Sequence, residues 1–255
     1  MDDAGYFLTS PALFYIAKQA AINAARGAAL QDNIVIAIVF SVVGAEAFIN
    51  KAVEMASQSA RGESDQKRIT AFAELGKQIE ESRGSLELKY QVARWILAGE
   101  AFDTSAAPYQ DFALLIDVRN ALIHYKLVDK IYTNTDGVMR MEIPKFVKQL
   151  RSKNVLADLP PDAQTSWLAR ITTPDMARWS CLSAAAMVRE IVEIVPQGVF
   201  RTRAASLGRS RRAPYTAEYF SRRKGSVDGS EPAFRASPRR LTATEPDSYE
   251  KTTPP

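Results

Sequence analysis

The stretch that decides the fold is Asp111–Lys126, DFALLIDVRNALIHYK. At about 100° per residue, six apolar residues, five within this stretch and one directly after it, share one side of a helix. These are Phe112, Leu115, Ile116, Leu122, Ile123 and Leu127. Arg119 falls near the middle of this stripe, while Asn120 and His124 fall at its edge, one turn apart. A guanidinium among core residues is costly unless it is paired or lies in a solvated cleft. The pattern therefore predicts a core helix that also carries chemically useful side chains.

Working outward from this helix, periodicity, caps and short connections predict an all-α, up-and-down helical bundle over residues 1–196. The predicted helices are about Ser10–Arg26, Ile34–Gln58, Gln66–Arg83, Ser85–Gly99, Asp111–Lys126, Pro144–Arg151 and Thr173–Val195. Between about residues 130 and 143 the pattern alternates around Thr135-Asp136-Gly137, which predicts a small β-hairpin insertion.

The second helix also carries a charge that needs an explanation. From Ile34 to Ile49 it is apolar almost all round, and Ser41 and Glu46 are the polar exceptions. Such a helix is expected to be central and buried. Glu46 then needs a partner, and Arg119 is the natural candidate. The alternative is that Glu46 points out through a gap, because glutamate is rarely fully buried.

Two stretches carry a resemblance to a known family. The run Arg119–His124, RNALIH, resembles the R-x-x-x-x-H signature of HEPN domains, with a polar residue after the arginine as in their active members. The segment Ala45–Asn50, AEAFIN, resembles a helix of many HEPN-like bacterial proteins. The resemblance covers the layout of residues 10–195. It implies a small α-helical bundle, often dimeric, and a metal-independent endoribonuclease of toxin–antitoxin or defence systems, with a possible antitoxin or other neutralising protein as partner.

The motif residues suit RNA cleavage by attack of a 2′-hydroxyl on the neighbouring phosphate. His124 is the only histidine, and an imidazole can serve as the base or as the acid. The guanidinium of Arg119 matches two phosphate oxygens, and the Asn120 amide suits holding the imidazole or the phosphate. One histidine does not comfortably serve as both base and acid, so a homodimer that brings two such helices together is expected. The predicted catalytic residues are Arg119, Asn120 and His124, and Glu46 has a supporting structural role.

A non-catalytic interpretation stays open beside this one. In it, Glu46 and Arg119 form a core ion pair and His124 is satisfied within the fold. The chain is then a helical-bundle binding module for a protein or nucleic-acid partner. The enzyme requires Arg119 and His124 to line an accessible cleft, whereas the binding module allows both to be buried.

The composition excludes several other kinds of functional site. The single cysteine, Cys181, excludes an intrachain disulfide and a cysteine-based metal site, and it suits a reducing cytoplasm. We therefore expect no metal and no cofactor. The acidic start Met1-Asp2-Asp3 is unlike a signal peptide. The apolar run Ile34–Ala45 is interrupted by Ser41 and is shorter than the ~20 residues of a membrane span, so no membrane association is expected.

Charge is distributed unevenly along the chain. Residues 197–255 carry 12 Lys and Arg against 6 Asp and Glu, while the rest carries 21 against 23. This segment is rich in Ser, Arg, Pro and Gly and lacks a hydrophobic period, which predicts a disordered basic tail. Its clusters are weak candidates for RNA binding by charge and stacking. The candidate residues are Arg211, Arg212, Arg222, Arg223 and Lys224. A solvated tail without function is the alternative.

Overall fold

The computed structural model describes residues 9–59, 66–124, 130–133, 139–159 and 165–195. In chain order the helices are α1 (Thr9–Ala25), α2 (Leu30–Ser59), α3 (Gln66–Glu81), α4 (Leu86–Ala98), α5 (Tyr109–Ile123), α6 (Lys145–Arg151), α7 (Trp167–Ile171) and α8 (Pro174–Ile194). The all-α fold class is confirmed. One hydrophobic cluster contains buried residues from all eight of these helices.

Helix α2 organises the bundle, because α1, α3, α5 and α8 all pack against it. The α1–α2 pair is close because Gly44 lacks a side chain. A Cβ at Gly44 would lie 3.2 Å from the ring of Phe14. The buried hydroxyl of Ser10 also donates a hydrogen bond to the carbonyl oxygen of Gly44, at 3.0 Å. This close approach fixes the first hairpin of the bundle.

Helix boundaries follow local capping chemistry. The Ser85 side chain accepts a hydrogen bond from the backbone N–H of Leu88, and Gly99 ends α4 with a positive φ of 81°. At α8, Thr173 accepts from the backbone N–H of Met176 and Pro174 occupies the first turn. The predicted ends of these two helices are confirmed, because the residues that define them lie in the local sequence.

Helix α2 departs from the prediction of a fully buried helix. Within it, the 29-residue stretch Leu30–Gln58 is long and apolar enough to cross a membrane, by length and composition alone, so the expected shortfall in length was wrong. Only half of its most apolar window is buried in the bundle. Val35, Val39 and Val43 are partly exposed on the side that also carries Glu46. An apolar composition all round therefore does not mean that neighbours cover every side.

The segment after α5 contains the strands β1 (Lys130–Thr133) and β2 (Met139–Glu142), which pair antiparallel with Ile131 opposite Met141. The connection that was predicted as the turn Thr135-Asp136-Gly137 lies outside the described residues. Helix α7 was not predicted, because five residues are too few for a periodic pattern. Residues 196–255, including the predicted tail, also lie outside the described residues.

Candidate functional site

Arg119 lies on the C-terminal half of α5, against α2. Its Nη2 atom is 3.8 Å from Oε2 of Glu46. The side chain of Arg119 is 17% exposed, and that of Glu46 is 39% exposed. The pairing predicted from sequence is therefore confirmed. The two alternatives for Glu46 were pairing with Arg119 and pointing out to solvent. Both apply, because its carboxylate pairs with Arg119 and is also partly exposed.

The Glu46–Arg119 contact is loose beside other ion pairs of this fold. Lys153 and Asp111 approach to 2.6 Å, and Arg94 and Glu190 approach to 2.8 Å. The Nε atom of Arg119 is buried and has no hydrogen-bond partner among the residues that the structure describes. A structural ion pair of this burial normally makes short, charge-assisted hydrogen bonds. Arg94 shares an unpartnered Nε, so the feature that distinguishes Arg119 is the long distance to Glu46. The terminal nitrogens of Arg119 make no hydrogen bond among the described residues and are the donors left for another anion.

Tyr90 forms the inner wall of this site. It is fully buried, its hydroxyl donates to the carbonyl oxygen of Ala45 at 3.0 Å, and its ring lies 4.9 Å from the ring of Phe112. Burial and the neighbouring Glu46 carboxylate raise the pKa of Tyr90 well above its usual range. Tyr90 thus stays neutral and holds α2, α4 and α5 in one arrangement around Glu46 and Arg119.

His124 and Asn120 lie where α5 ends. The predicted continuation of the helix to Lys126 was wrong, since α5 ends at Ile123 and His124 is its C-cap. The backbone N–H of His124 still bonds to the carbonyl oxygen of Asn120 at 3.0 Å, so the spacing of one turn is kept. His124 is exposed and Asn120 is partly exposed. Within the described part of the chain, no hydrogen bond engages the imidazole.

The structure thus brings the four sequence-predicted residues to one end of α5. Arg119 meets Glu46 on the inner side, and Asn120 and His124 open toward solvent. Ile123 beside them is a large apolar side chain that is 49% exposed. The exposed imidazole meets one requirement of the enzyme interpretation. The non-catalytic interpretation only allows both residues to be buried, so it stays open.

Two carboxylates, Glu87 on α4 and Asp117 on α5, are close enough for the charge of one to affect the other. Burial, and secondly the charge of Asp117, raise the pKa of Glu87. Burial also raises the pKa of Asp117, and Lys145 offsets part of that rise. Neither residue stood out in the sequence, because contact between α4 and α5 is needed to bring them together.

A second polar cluster lies one turn along α2 from Glu46. The ammonium of Lys89 is 3.0 Å from Oδ1 of Asn50 and also contacts the carboxylate of Glu80. The Lys89 side chain is only 6% exposed. Sequence reasoning missed this cluster, although Asn50 closes the AEAFIN segment and stands four residues after Glu46.

The described residues give no support for a metal site or for a cysteine nucleophile. No group of three or more His, Cys, Asp or Glu there is arranged to hold a metal ion. Cys181 is buried beside the Ser41 hydroxyl, and burial raises its pKa to about 11, which makes it a poor nucleophile. The tail candidates Arg211, Arg212, Arg222, Arg223 and Lys224 lie outside the described residues.

The chain matches no protein-family model, and it matches neither a curated protein nor a solved structure.

Proposed function

We propose that this protein is a metal-independent endoribonuclease that acts as a homodimer, with Arg119, Asn120 and His124 at its active site. The observation that carries the proposal is that Arg119 and His124 lie at the same end of α5 and that neither side chain makes a hydrogen bond among the described residues. The guanidinium is loosely paired and keeps unused donors, and the only histidine of the chain stands exposed one turn beyond Asn120. These are the two groups that phosphodiester cleavage by a 2′-hydroxyl needs.

Each residue has a distinct task in this reaction. The imidazole of His124 takes the proton from the 2′-hydroxyl or gives a proton to the 5′-oxygen that leaves. The guanidinium of Arg119 binds two oxygens of the attacked phosphate and stabilises the charge that develops there. Glu46 orients the guanidinium from behind. The Asn120 amide is placed to hold either the imidazole or the phosphate.

A second copy of the chain supplies the second imidazole. In a symmetric dimer both active-site ends of α5 contribute to one cleft, so that one histidine acts as base and the other as acid. Apolar surface on both sides of the Glu46–Arg119 pair supports such a dimer. Ile123 is half exposed at the end of α5, and Val35, Val39 and Val43 are partly exposed on α2.

The resemblance to HEPN domains supports a toxin or defence role in the cytoplasm, restrained by a neutralising partner protein. Expression of the wild-type chain without such a partner then slows growth. Expression of His124→Ala does not.

The direct test is incubation of purified protein with single-stranded RNA in the presence of EDTA. We expect the wild type to cut the RNA, and His124→Ala to cut it roughly 10²–10⁴-fold more slowly because a proton-transfer group is lost. Arg119→Ala should also abolish cleavage. Its control is Arg68→Ala, which removes an exposed arginine of α3 and should leave cleavage unchanged. Equal cleavage by the wild type and His124→Ala would place the active site elsewhere.

A non-catalytic binding module is the second candidate, and one surface favours it. Leu88 and Trp95 lie two turns apart on α4 and are 45% and 61% exposed. Exposed tryptophan is unusual on a monomer and common at protein–protein contacts. This candidate predicts no cleavage by the wild type, and loss of partner binding in Trp95→Ala.

A further inference from the structure

The Asn50 amide is held in a single orientation by the chemistry of its neighbour. A lysine ammonium can only donate hydrogen bonds, so the atom 3.0 Å from Lys89 must be the amide oxygen of Asn50. Lys89 is itself pinned by Glu80 and is almost fully buried. The amide nitrogen of Asn50, with two N–H groups, therefore points away from Lys89.

Within the described ranges this nitrogen has no partner of its own. Among the residues that the structure describes, no acceptor takes a hydrogen bond from Nδ2 of Asn50, and the residue is partly exposed. A polar side chain whose oxygen is fixed by a buried cation is a preorganised donor, since its orientation is set before any ligand arrives.

The donor lies one turn of α2 away from the Glu46–Arg119 pair. Asn50 follows Glu46 by one turn of α2, which places the two residues about 6 Å apart along the same side of the helix. Arg119 contacts Glu46 on the first of these turns, and Lys89 contacts Asn50 on the second. A strand whose phosphate is bound by Arg119 thus has a fixed hydrogen-bond donor at a neighbouring nucleotide.

We propose that Asn50 is a substrate-binding residue that donates hydrogen bonds from Nδ2 to a phosphate or ribose oxygen of the RNA strand, next to the phosphate bound by Arg119. This inference rests on the proposed endoribonuclease function. It assigns Lys89 and Glu80 as positioning residues, because they set the orientation of the amide without touching the strand.

The central variant is Asn50→Asp. It keeps an oxygen for Lys89, so the buried cation stays paired and the fold is preserved, while both N–H donors are lost. Asn50→Ala is the second variant, since it removes the donors without adding a charge. Ser57→Asp is the matched control, because it adds the same charge to an exposed position on the same side of α2, two turns farther on.

Binding is measured with a labelled single-stranded RNA of mixed sequence in a His124→Ala background, so that the strand stays intact. Cleavage kinetics are measured in the otherwise wild-type chain. We expect both Asn50 variants to bind roughly 10-fold more weakly and to raise KM more than they lower kcat, because a hydrogen bond to a charged group is lost. We expect Ser57→Asp to change affinity less than twofold and all melting temperatures to stay near the parental value.

The outcomes separate the inference from the function on which it rests. If the wild type cuts RNA and both Asn50 variants bind and cut it equally well, the assignment of Asn50 is wrong and the endoribonuclease stands. A loss of affinity that only follows a loss of folded protein also overturns the assignment. If no cleavage occurs but binding still depends on Asn50, the binding site stands and the catalytic function fails.

Discussion

The guanidinium of Arg119 and the carboxylate of Glu46 meet at 3.8 Å, across the contact between α5 and α2, with the carboxylate partly in solvent. A fully buried ion pair costs about 3–5 kcal/mol when one partner is removed. Here the distance and the 39% exposure of Glu46 reduce the interaction. The pair therefore contributes modestly to stability and leaves Arg119 available for a ligand.

A double-mutant cycle tests this weak coupling. We expect Glu46→Gln and Arg119→Gln to couple by only about 0.5–1 kcal/mol in chemical denaturation, because solvent screens the pair. The reference is Lys153 with Asp111, which lie 2.6 Å apart and are each less than a quarter exposed. Stronger coupling is expected there. A larger coupling energy for Glu46 with Arg119 than for the reference pair would mean that Arg119 is a structural cation.

Gly76 provides a stability test away from the site. A Cβ at this position would lie 2.4 Å from a methyl group of Val53, where α3 meets α2. Gly76→Ala is expected to destabilise the fold by about 1–3 kcal/mol through overpacking, despite the better helix propensity of alanine. Thermal unfolding should show recovery when Val53→Ala is added. A Gly76→Ala variant with unchanged melting temperature would show that the two helices can separate freely.

Local features of the fold could be predicted from sequence, and contacts between distant segments could not. The helix ends at Ser85, Gly99 and Thr173 were predicted because the chemistry that fixes them lies within a few residues. The Glu46–Arg119 pair was predictable because Glu46 is the only charge in the apolar run Ile34–Ile49 and Arg119 falls within the apolar stripe of its helix. The Lys89–Asn50 contact joins α4 to α2 through ordinary surface residue types, so nothing in the local pattern marks it. The end of α5 at Ile123 and the exposed valines of α2 also depend on where neighbouring helices stop.

The raised pKa values of Glu87 and Asp117 predict a pH-dependent effect on stability. A carboxyl group with a raised pKa binds its proton more tightly in the folded state than in the unfolded chain. Its ionisation therefore opposes folding above the folded-state pKa, and this cost disappears as the pH falls below the ordinary value. Glu87→Gln should raise the melting temperature by roughly 1–3 °C at pH 7 and leave it unchanged near pH 4.

The control for this measurement is Glu74→Gln, which alters an exposed glutamate of α3. It should leave the melting temperature unchanged at both pH values. A gain for Glu87→Gln that persists at the acidic pH would arise from packing or helix propensity, and the burial of the Glu87 charge near Asp117 would then not explain it.

Truncation tests the separation between the folded body and the basic tail. Removing residues 197–255 is expected to leave the melting temperature almost unchanged, because the sequence there has no apolar face to bury. Any RNA affinity that the tail adds should weaken steeply with salt. A cut after Arg189 is the contrasting variant, since it also removes the buried residues Ile191 and Val195 and should unfold the end of α8. A large loss of helix content after removal of residues 197–255 alone would show that the tail is part of the fold.

The final prediction concerns the number of histidines in one active site. If base and acid come from His124 of the two copies, a dimer with one His124→Ala subunit has lost one of the two proton transfers. Wild-type and His124→Ala chains are mixed in equal amounts, unfolded and refolded together so that they pair at random. Only about a quarter of the dimers are then fully wild type, so the RNA cleavage rate should fall to about a quarter of that of the all-wild-type sample at the same total concentration. If each subunit had its own complete active site, the cleavage rate would fall only to one half, because half of the subunits are wild type. The control mixes wild type with Arg68→Ala, which should keep the full rate. A rate of one half in the first mixture would show that each His124 works within its own subunit, and the shared cleft would be wrong.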